Sequence, residues 1–412
     1  MLVFIWRREY LFPFNSILDF KVELTNEHEM FRKMIRQFAE NEIAPKVMEI
    51  EKTNTIPEEL INRAKELGLM GVGIPPEYDG QGGGAMMLVI LTEELSRVSP
   101  AFATKIAVNH LFTTPVLIFG TEEQKRKYIP PIARGEVFAA HANTEPAAGS
   151  DVAGIQATAR KEGNYWIING RKIFITGADR AKYLVVSART SPPPSRKERW
   201  KGLTFFIIES DWPGVKIGSK FNVIGLRGEQ PNEVILDDVK VPEENILGKE
   251  GEGFKVAVTT YDHGRIGIAA QGIGIAQAVF EKSLNYALQR YAFERPLISF
   301  EGIAFKLADM LIELEAARML TYWAATLTDA QRPEAIMAAS LAKTYATEVA
   351  EKASALAIKI HGGVGVDHEA GVERYLRDAL ITTIYEGAND IQRITIIRSL
   401  LRQVFGTSID MM

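Results

Sequence analysis

The stretch NYWIINGRKIFITG, residues 164–177, decides how the chain divides. Asn169 and Gly170 stand between two runs of aromatic and β-branched residues, the pattern of two strands joined by a two-residue type I′ turn. Three further strand-like runs follow with short connections: AKYLVVSART (181–190), GLTFFIIES (202–210) and NEVILDDVKVP (232–242). Residues 138–250 are therefore expected to form a small antiparallel β domain or barrel. The insertion SPPPSRKERWKG (191–202) is Pro-rich and basic, and reads as a solvated hairpin loop in preference to a binding patch.

On both sides the apolar period lengthens to that of helices. In TNEHEMFRKMIRQFAENEIAP (25–45), Phe31, Met34, Ile35 and Phe38 share one face, Thr25 can cap the start and Pro45 is expected to mark the end. PEELINRAKELG (57–68) closes on Gly68, and TEEQKRKYIPPIARGE (121–136) opens with a Thr121–Gln124 capping box. Beyond NILGKEGEGF, RIGIAAQGIGIAQAVFEKSLNYALQRYAF (265–293) and FKLADMLIELEAARMLTYWAATLTDA (305–330) carry wide apolar faces, as in a bundle packed against neighbouring helices or subunits. The expected fold class is α+β multidomain: an appendage over 1–18, a helical domain over 19–137, the β domain over 138–250 and a C-terminal helical bundle over 251–412.

Composition removes several function classes. The 412 residues carry 48 basic and 52 acidic side chains, a net charge of −4 that offers no nucleic-acid or membrane-surface footprint. Without cysteine there is no disulfide, thiolate metal site or cysteine nucleophile, and a reducing, cytoplasmic compartment fits. The six histidines form no HExxH and no cluster with carboxylates, so no metal site is expected. No apolar run is expected to approach the roughly 18 residues of a membrane span. The N-terminal MLVFIWRREY has the wrong order of charge and apolar residues for a secretory signal.

Five glycine-containing stretches need separate readings. GQGGGA (80–85) matches a dinucleotide fingerprint by letters but lacks a preceding strand, while GIGIAQ (272–277) lies in a helix, where small residues permit close packing. HANTEPAAGSDVAG (141–154) gathers Thr144, Gly149, Ser150 and Asp151 in a loop entering the β domain, either a cradle for a phosphate or ring edge or a structural turn. KIHGGVGV (359–366) places Gly362 and Gly363 where backbone can approach a ligand, or where a plain C-cap sits. RYAFERPLISFEG (290–302) supplies Arg290 and Phe293, suited to phosphate and stacking contacts or else a surface arginine and a core phenylalanine.

Near the C-terminus, TTIYEGANDIQR (382–393) sets Glu386 between Tyr385 and Gly387 at a break between two helical runs, the second stopping at Gly406. A capping carboxylate is one reading of Glu386. Asn389 with Gln392 forms its own capping pair, which leaves Glu386 for chemistry.

Together these stretches resemble the acyl-CoA dehydrogenase family from about residue 19 to 405. ANTEPAAGSDVAG is similar to the family's loop before the β domain, and GGVGVDHEAGVERYLRDALITTIYEGANDIQR to its C-terminal motif. YDHGRIGIAAQGIGIAQAV, FKLADM and LEAARMLTYWAA look most like short-chain and branched-chain members. The resemblance implies a homotetrameric flavoenzyme with FAD between the β domain and the C-terminal helices. On that resemblance it would oxidise an acyl-CoA substrate to the trans-2-enoyl-CoA and pass electrons to an electron-transferring flavoprotein.

By matching position the resemblance implies Glu386 as catalytic base. Thr144, Gly149, Ser150, Phe174, Ile175 and Thr176 would contact FAD from the β domain, and Arg290, Phe293, Glu301, Gly362, Gly363, Ala388 and Asp390 from the helical bundle. Ser150, Tyr261, Asp262, Arg265, Tyr385 and Gly387 would border the thioester channel. Some members keep the base just before the arginine matched by Arg265, but that residue here is Gly264. The chain departs from the family pattern at Asn143, Glu294, Glu301, Lys359, the run LRGEQPN, and Ala388 and Asp390. Two rivals remain: an acyl-CoA oxidase, which would release hydrogen peroxide, and a non-catalytic acyl-thioester scaffold, which would not bleach a flavin.

Overall fold

The computed structural model describes residue 22 and residues 24–406, so the expected N-terminal appendage lies outside the described residues. Helix α1 (Asn26–Phe38) starts where Thr25 caps it, with His28 completing the capping box. Ile35 and Phe38 are buried and Phe31 is partly so, while Met34 on the edge of that face is exposed. Pro45 does not end the helical path. A π turn (Ala39–Ile43) precedes a 3₁₀ turn (Ala44–Lys46) that takes the proline in its first positions, where its missing N–H costs nothing. The path runs on through α2 (Val47–Thr53) to Asn54, whose φ of 55° turns it aside. Helix α3 (Glu58–Glu66) ends at the left-handed Gly68, as its sequence predicts.

Helices α4 (Gly84–Val98), α5 (Pro100–Ala107), α6 (His110–Phe119) and α7 (Glu122–Ala133) complete the N-terminal helices, and the Thr121–Gln124 capping box forms. Contrary to expectation, Pro100–Phe119 reaches the length and mean hydropathy of a membrane span, 20 residues at 1.3. The run is broken between α5 and α6, and Phe102, Ile106, Phe112 and Val116 on it are buried in the protein core.

Strands β1 (Phe138–Ala142), β2 (Thr158–Glu162), β3 (Tyr165–Ile175), β4 (Ala181–Arg189), β5 (Leu203–Glu209), β6 (Val215–Lys220), β7 (Asn232–Pro242) and β8 (Ile246–Leu247) form one sheet in the order β6-β7-β3-β2-β4-β5-β8. Pairing is antiparallel except beside β4, where β1 and the first residue of β2 run parallel to it. The expected turn at Asn169–Gly170 is not there: β3 runs straight through both residues. The two-residue hairpin turn is Gly163–Asn164, between the paired Glu162 and Tyr165, with Gly163 at φ 60°. Asn169–Gly170 is instead where the register against β7 slips. There Asn169 exchanges hydrogen bonds with Asp238, and Gly170 lies so close to Ala157 that a side chain would collide. The residues that favour an unusual backbone serve a bulge as well as a turn.

The chain then becomes helical again with α8 (Gly253–Gln289), a short β9–β10 pair (Tyr291–Ala292 and Arg295–Pro296), α9 (Glu301–Asp329), α10 (Ala335–His361), α11 (Arg374–Thr382) and α12 (Asn389–Phe405). The glycines of α8 do what their spacing predicts. A β carbon on Gly272 would meet the backbone of Ala346 at 2.8 Å, and one on Gly274 would strike the carbonyl of Glu93. These contacts bring α10 and α4 against the two sides of α8 and give the bundle its centre.

Candidate active site

Between α11 and α12 the backbone makes a tight reversal. Tyr385 N–H donates to Ile381 O at 3.2 Å and Asn389 N–H to Thr383 O at 3.0 Å, while Glu386 and Gly387 take φ values of 50° and 98°. A non-glycine residue in that region costs about 1–3 kcal/mol, so the surrounding contacts must hold it there. The expected Asn389–Gln392 capping pair does not form. Ala388 is the N-cap and makes no side-chain bond. Asn389 instead turns its side chain to α10, donating to Thr347 Oγ1 at 3.0 Å and accepting from Lys343 Nζ at 2.8 Å. Gln392 Nε2 donates to Gly387 O at 2.9 Å.

Glu386 is not a cap. Its Oε2 is buried without a hydrogen-bond partner, although the residue as a whole is partly exposed. Across from it, α8 presents Gly264, where a β carbon would overlap Oε2. Burial pushes the carboxyl up to about 7, against the opposing pull of Lys343 and Arg265.

Polar groups of α8 and of the turn itself surround this carboxylate. Arg265 pairs with Asp262 and donates to Ser340 Oγ at 3.2 Å. Burial lowers the Arg265 pKa and raises that of Asp262, each opposed by the other's charge. Tyr261 Oη accepts from Asn143 Nδ2 at 2.8 Å. Tyr385 Oη donates to Gln271 on α8, whose Nε2 in turn reaches Pro100 O at 3.0 Å and Thr104 Oγ1 at 2.9 Å. Of the residues singled out around the channel in the sequence, Tyr261, Asp262 and Arg265 lie on α8 facing the turn that carries Tyr385 and Gly387 with the expected base Glu386, while Ser150 lies on the 141–154 loop.

A second group gathers on the β domain. Ile173 N–H donates to Thr144 O at 2.9 Å, tying the 141–154 loop to β3 beside Phe174. The loop is a structural turn at one end: Glu145 accepts from Gln156 N at 2.7 Å, Ala157 N at 3.0 Å and the fully buried Lys172 Nζ at 2.7 Å. At its other end Gly149, Ser150 and Asp151 are exposed, with Asp151 paired to Arg199 of the basic insertion. Phe174 is half exposed at φ 55° with its ring 4.4 Å from that of Phe221, Ile175 is buried beneath and Thr176 is partly buried.

The third group lies at the ends of α8 and α10, which Tyr286 and His361 join by stacking at 4.4 Å. Arg290 ends α8, and Phe293 is 89% exposed, so it is not the core phenylalanine its hydrophobicity allowed. Glu301 opens α9 and is exposed. Gly362, at φ 63°, and Gly363 both have open space where a side chain would stand. Ala388 is partly buried at the start of α12, and Asp390 is exposed in its first turn.

Lys343 and Gln271 did not stand out in the sequence. Each is one polar residue within a helical run of small and apolar ones, a sign of a buried partner that gives no hint of where the partner is.

Residues 25–136, 140–239 and 251–401 match the models of the N-terminal, middle and C-terminal domains of acyl-CoA dehydrogenase. The chain belongs to the acyl-CoA dehydrogenase family. This is a family of flavoprotein oxidoreductases. An acyl-CoA dehydrogenase of Bacillus subtilis is 44% identical over 381 residues, covering 92% of this chain and 99% of the relative. A relative from Acetobacterium woodii, named caffeyl-CoA reductase-Etf complex subunit CarC, is 39% identical over 381 residues, 92% of this chain and 99% of its own. The solved butyryl-CoA dehydrogenase of Megasphaera elsdenii superposes with a TM-score of 0.89 at 38% identity, covering 93% of this chain and 100% of that one.

Proposed function

We propose that the protein is an FAD-dependent acyl-CoA dehydrogenase for short- or branched-chain thioesters, forming the trans-2-enoyl-CoA. The observation that carries this reading is Glu386, a carboxylate whose buried Oε2 has no partner and whose pKa burial raises to about 7. Such a group is ionised in part at neutral pH and still basic enough to accept a proton from carbon.

In this reading Glu386 removes the proton from the α carbon of the thioester. The electron pair of that bond becomes the α,β double bond as hydride leaves the β carbon. The backbone amide of Glu386 is offered to the thioester carbonyl oxygen, where negative charge grows, and Gly387 leaves room for the thioester. Tyr261, Asp262, Arg265, Tyr385 and Ser150 border the substrate, and their packing excludes water from the reacting carbons.

The residues suit a flavin. Phe174 offers a half-exposed ring on β3, the strand to which the Thr144 carbonyl is tied, with Ile175 in the core and Thr176 partly buried after it. Nothing fills the space beside Gly149, Gly362 and Gly363, and Arg290 and Phe293 stand exposed. FAD would be held by these residues with Glu301, Ala388 and Asp390, and when bound supplies the hydride acceptor.

Similarity to a butyryl-CoA dehydrogenase supports a short acyl group, and similarity to a subunit named for an Etf complex supports an electron-transferring flavoprotein as acceptor. Exposed Phe305, Ile312 and Met319 recur one heptad apart on α9 and support burial of that face in a homotetramer. Anaerobic addition of butyryl- or isobutyryl-CoA to the FAD-bound protein should bleach the flavin, and Glu386→Gln should lose the bleaching while retaining FAD. A fully active variant would overturn the assignment, and stoichiometric peroxide on aerobic turnover would favour an oxidase.

A further inference from the structure

The carbonyl of Gly387, one residue past Glu386, is held by two donors from different helices. Lys343 Nζ on α10 reaches it at 2.9 Å and Gln392 Nε2 on α12 at 2.9 Å. Lys343 has no solvent exposure, and its second bond, 2.8 Å to Asn389 Oδ1, ends on a side chain fixed by Thr347. The other charged groups around the pair are already matched: Asp262 with Arg265 on α8, and Glu348 of α10 with Arg393 of α12. Tyr261 and Tyr385 complete the ionisable groups facing Glu386, and burial with the nearby carboxylate holds both phenols protonated. Among the described residues no carboxylate pairs with Lys343 at contact distance. Burial draws the Lys343 pKa down to about 7, against the attraction of Glu386, so the ammonium acts on that carboxylate on the acid side of neutrality and is lost as pH rises past it.

We propose that Lys343 is a positioning residue for proton abstraction: its hold on the Gly387 carbonyl fixes the turn that aims Glu386, and its ammonium, while protonated, favours the ionised form of that carboxylate. This rests on Glu386 being the base. The two contributions separate by substitution. Lys343→Met removes both the donor and the charge. Lys343→Gln keeps a donor for the turn but no charge.

The test is the pH dependence of flavin bleaching by saturating butyryl-CoA under anaerobic conditions, with FAD content and thermal melting measured alongside. Lys343→Met should raise the midpoint by about one unit, a tenfold loss of rate on the acid limb, and lower the alkaline plateau. Lys343→Gln should recover much of the plateau and keep the raised midpoint. An unchanged midpoint in both variants, or failure of both to fold with FAD, would mark a purely structural lysine and overturn the proposal. If Glu386→Gln still bleaches, it is the assignment of the base that fails.

Discussion

Gly264 lies against the carboxylate of Glu386, so that a β carbon there would overlap Oε2 and stand 3.2 Å from Cδ and 3.4 Å from Leu111 Cδ2. Two elements 122 positions apart in the sequence thus meet with no room for a methyl group. Gly264→Ala should push the carboxylate off its line to the α carbon. Because a displacement of about 1 Å at a reacting group costs on the order of a hundredfold, bleaching by butyryl-CoA should slow by ten- to a hundredfold with FAD content unchanged. Stopped-flow traces at wild-type rate would show that the carboxylate has another resting place.

Glu386 should weaken the fold it serves. Its carboxyl rises from an ordinary 4.5 to about 7 on folding, so the folded state favours the protonated form. The contribution is therefore neutral below the unfolded pKa, becomes unfavourable as pH rises through the interval, and is complete above about 7. Discounting for the part of the residue that is exposed, Glu386→Gln should stabilise the protein by about 1–2 kcal/mol at pH 8 and by little at pH 4.5. Urea titrations at the two pH values decide it. Equal changes at both would mean that the gain has nothing to do with ionisation.

Lys172 should hold the 141–154 loop in shape. Its ammonium is fully buried with Glu145 at 2.7 Å, Ser187 at 2.9 Å and the Asn143 carbonyl at 3.2 Å. Burial draws its pKa down to about 8, against the opposing attraction of Glu145. Lys172→Met strands a buried carboxylate, which costs about 3–5 kcal/mol, and frees the loop bearing Thr144 and Ser150. The variant should unfold at lower urea and lose flavin on gel filtration. Retention of a full complement of FAD would separate the loop's shape from cofactor binding.

The alternation of helical and strand-like runs was readable because each element repeats its own period over many residues. What eluded sequence reasoning were choices settled between distant residues. Asn169–Gly170 fits a turn or a bulge equally, and Asp238, Ala157 and the hairpin at Gly163–Asn164 decide for the bulge. Asn389 has the letter of a cap, yet Lys343 and Thr347 on α10 offer it better partners than the backbone of its own helix. Glu386 stood out because a charge beside a glycine at a helix break has few structural uses. Lys343 did not, since its partner Gly387 is 44 residues away and nothing in the surrounding helix points to it.

The glycines of α8 make the packing itself testable. At Gly274 a β carbon would stand 2.7 Å from Ser96 Cβ and 3.1 Å from Arg97 N, besides striking the Glu93 carbonyl, and α4 cannot yield there without disturbing its own hydrogen bonds. Gly274→Ala should therefore destabilise by about 1–3 kcal/mol through overpacking, even though alanine suits a helix better than glycine. Gly267 sits on the same helix with nothing within 4 Å of its would-be β carbon. Gly267→Ala should gain the helical preference without the clash, about 0.5–1 kcal/mol. Thermal melts of the two variants side by side should move in opposite directions. A shared direction would show that α8 is governed by backbone entropy rather than by its approach to α4.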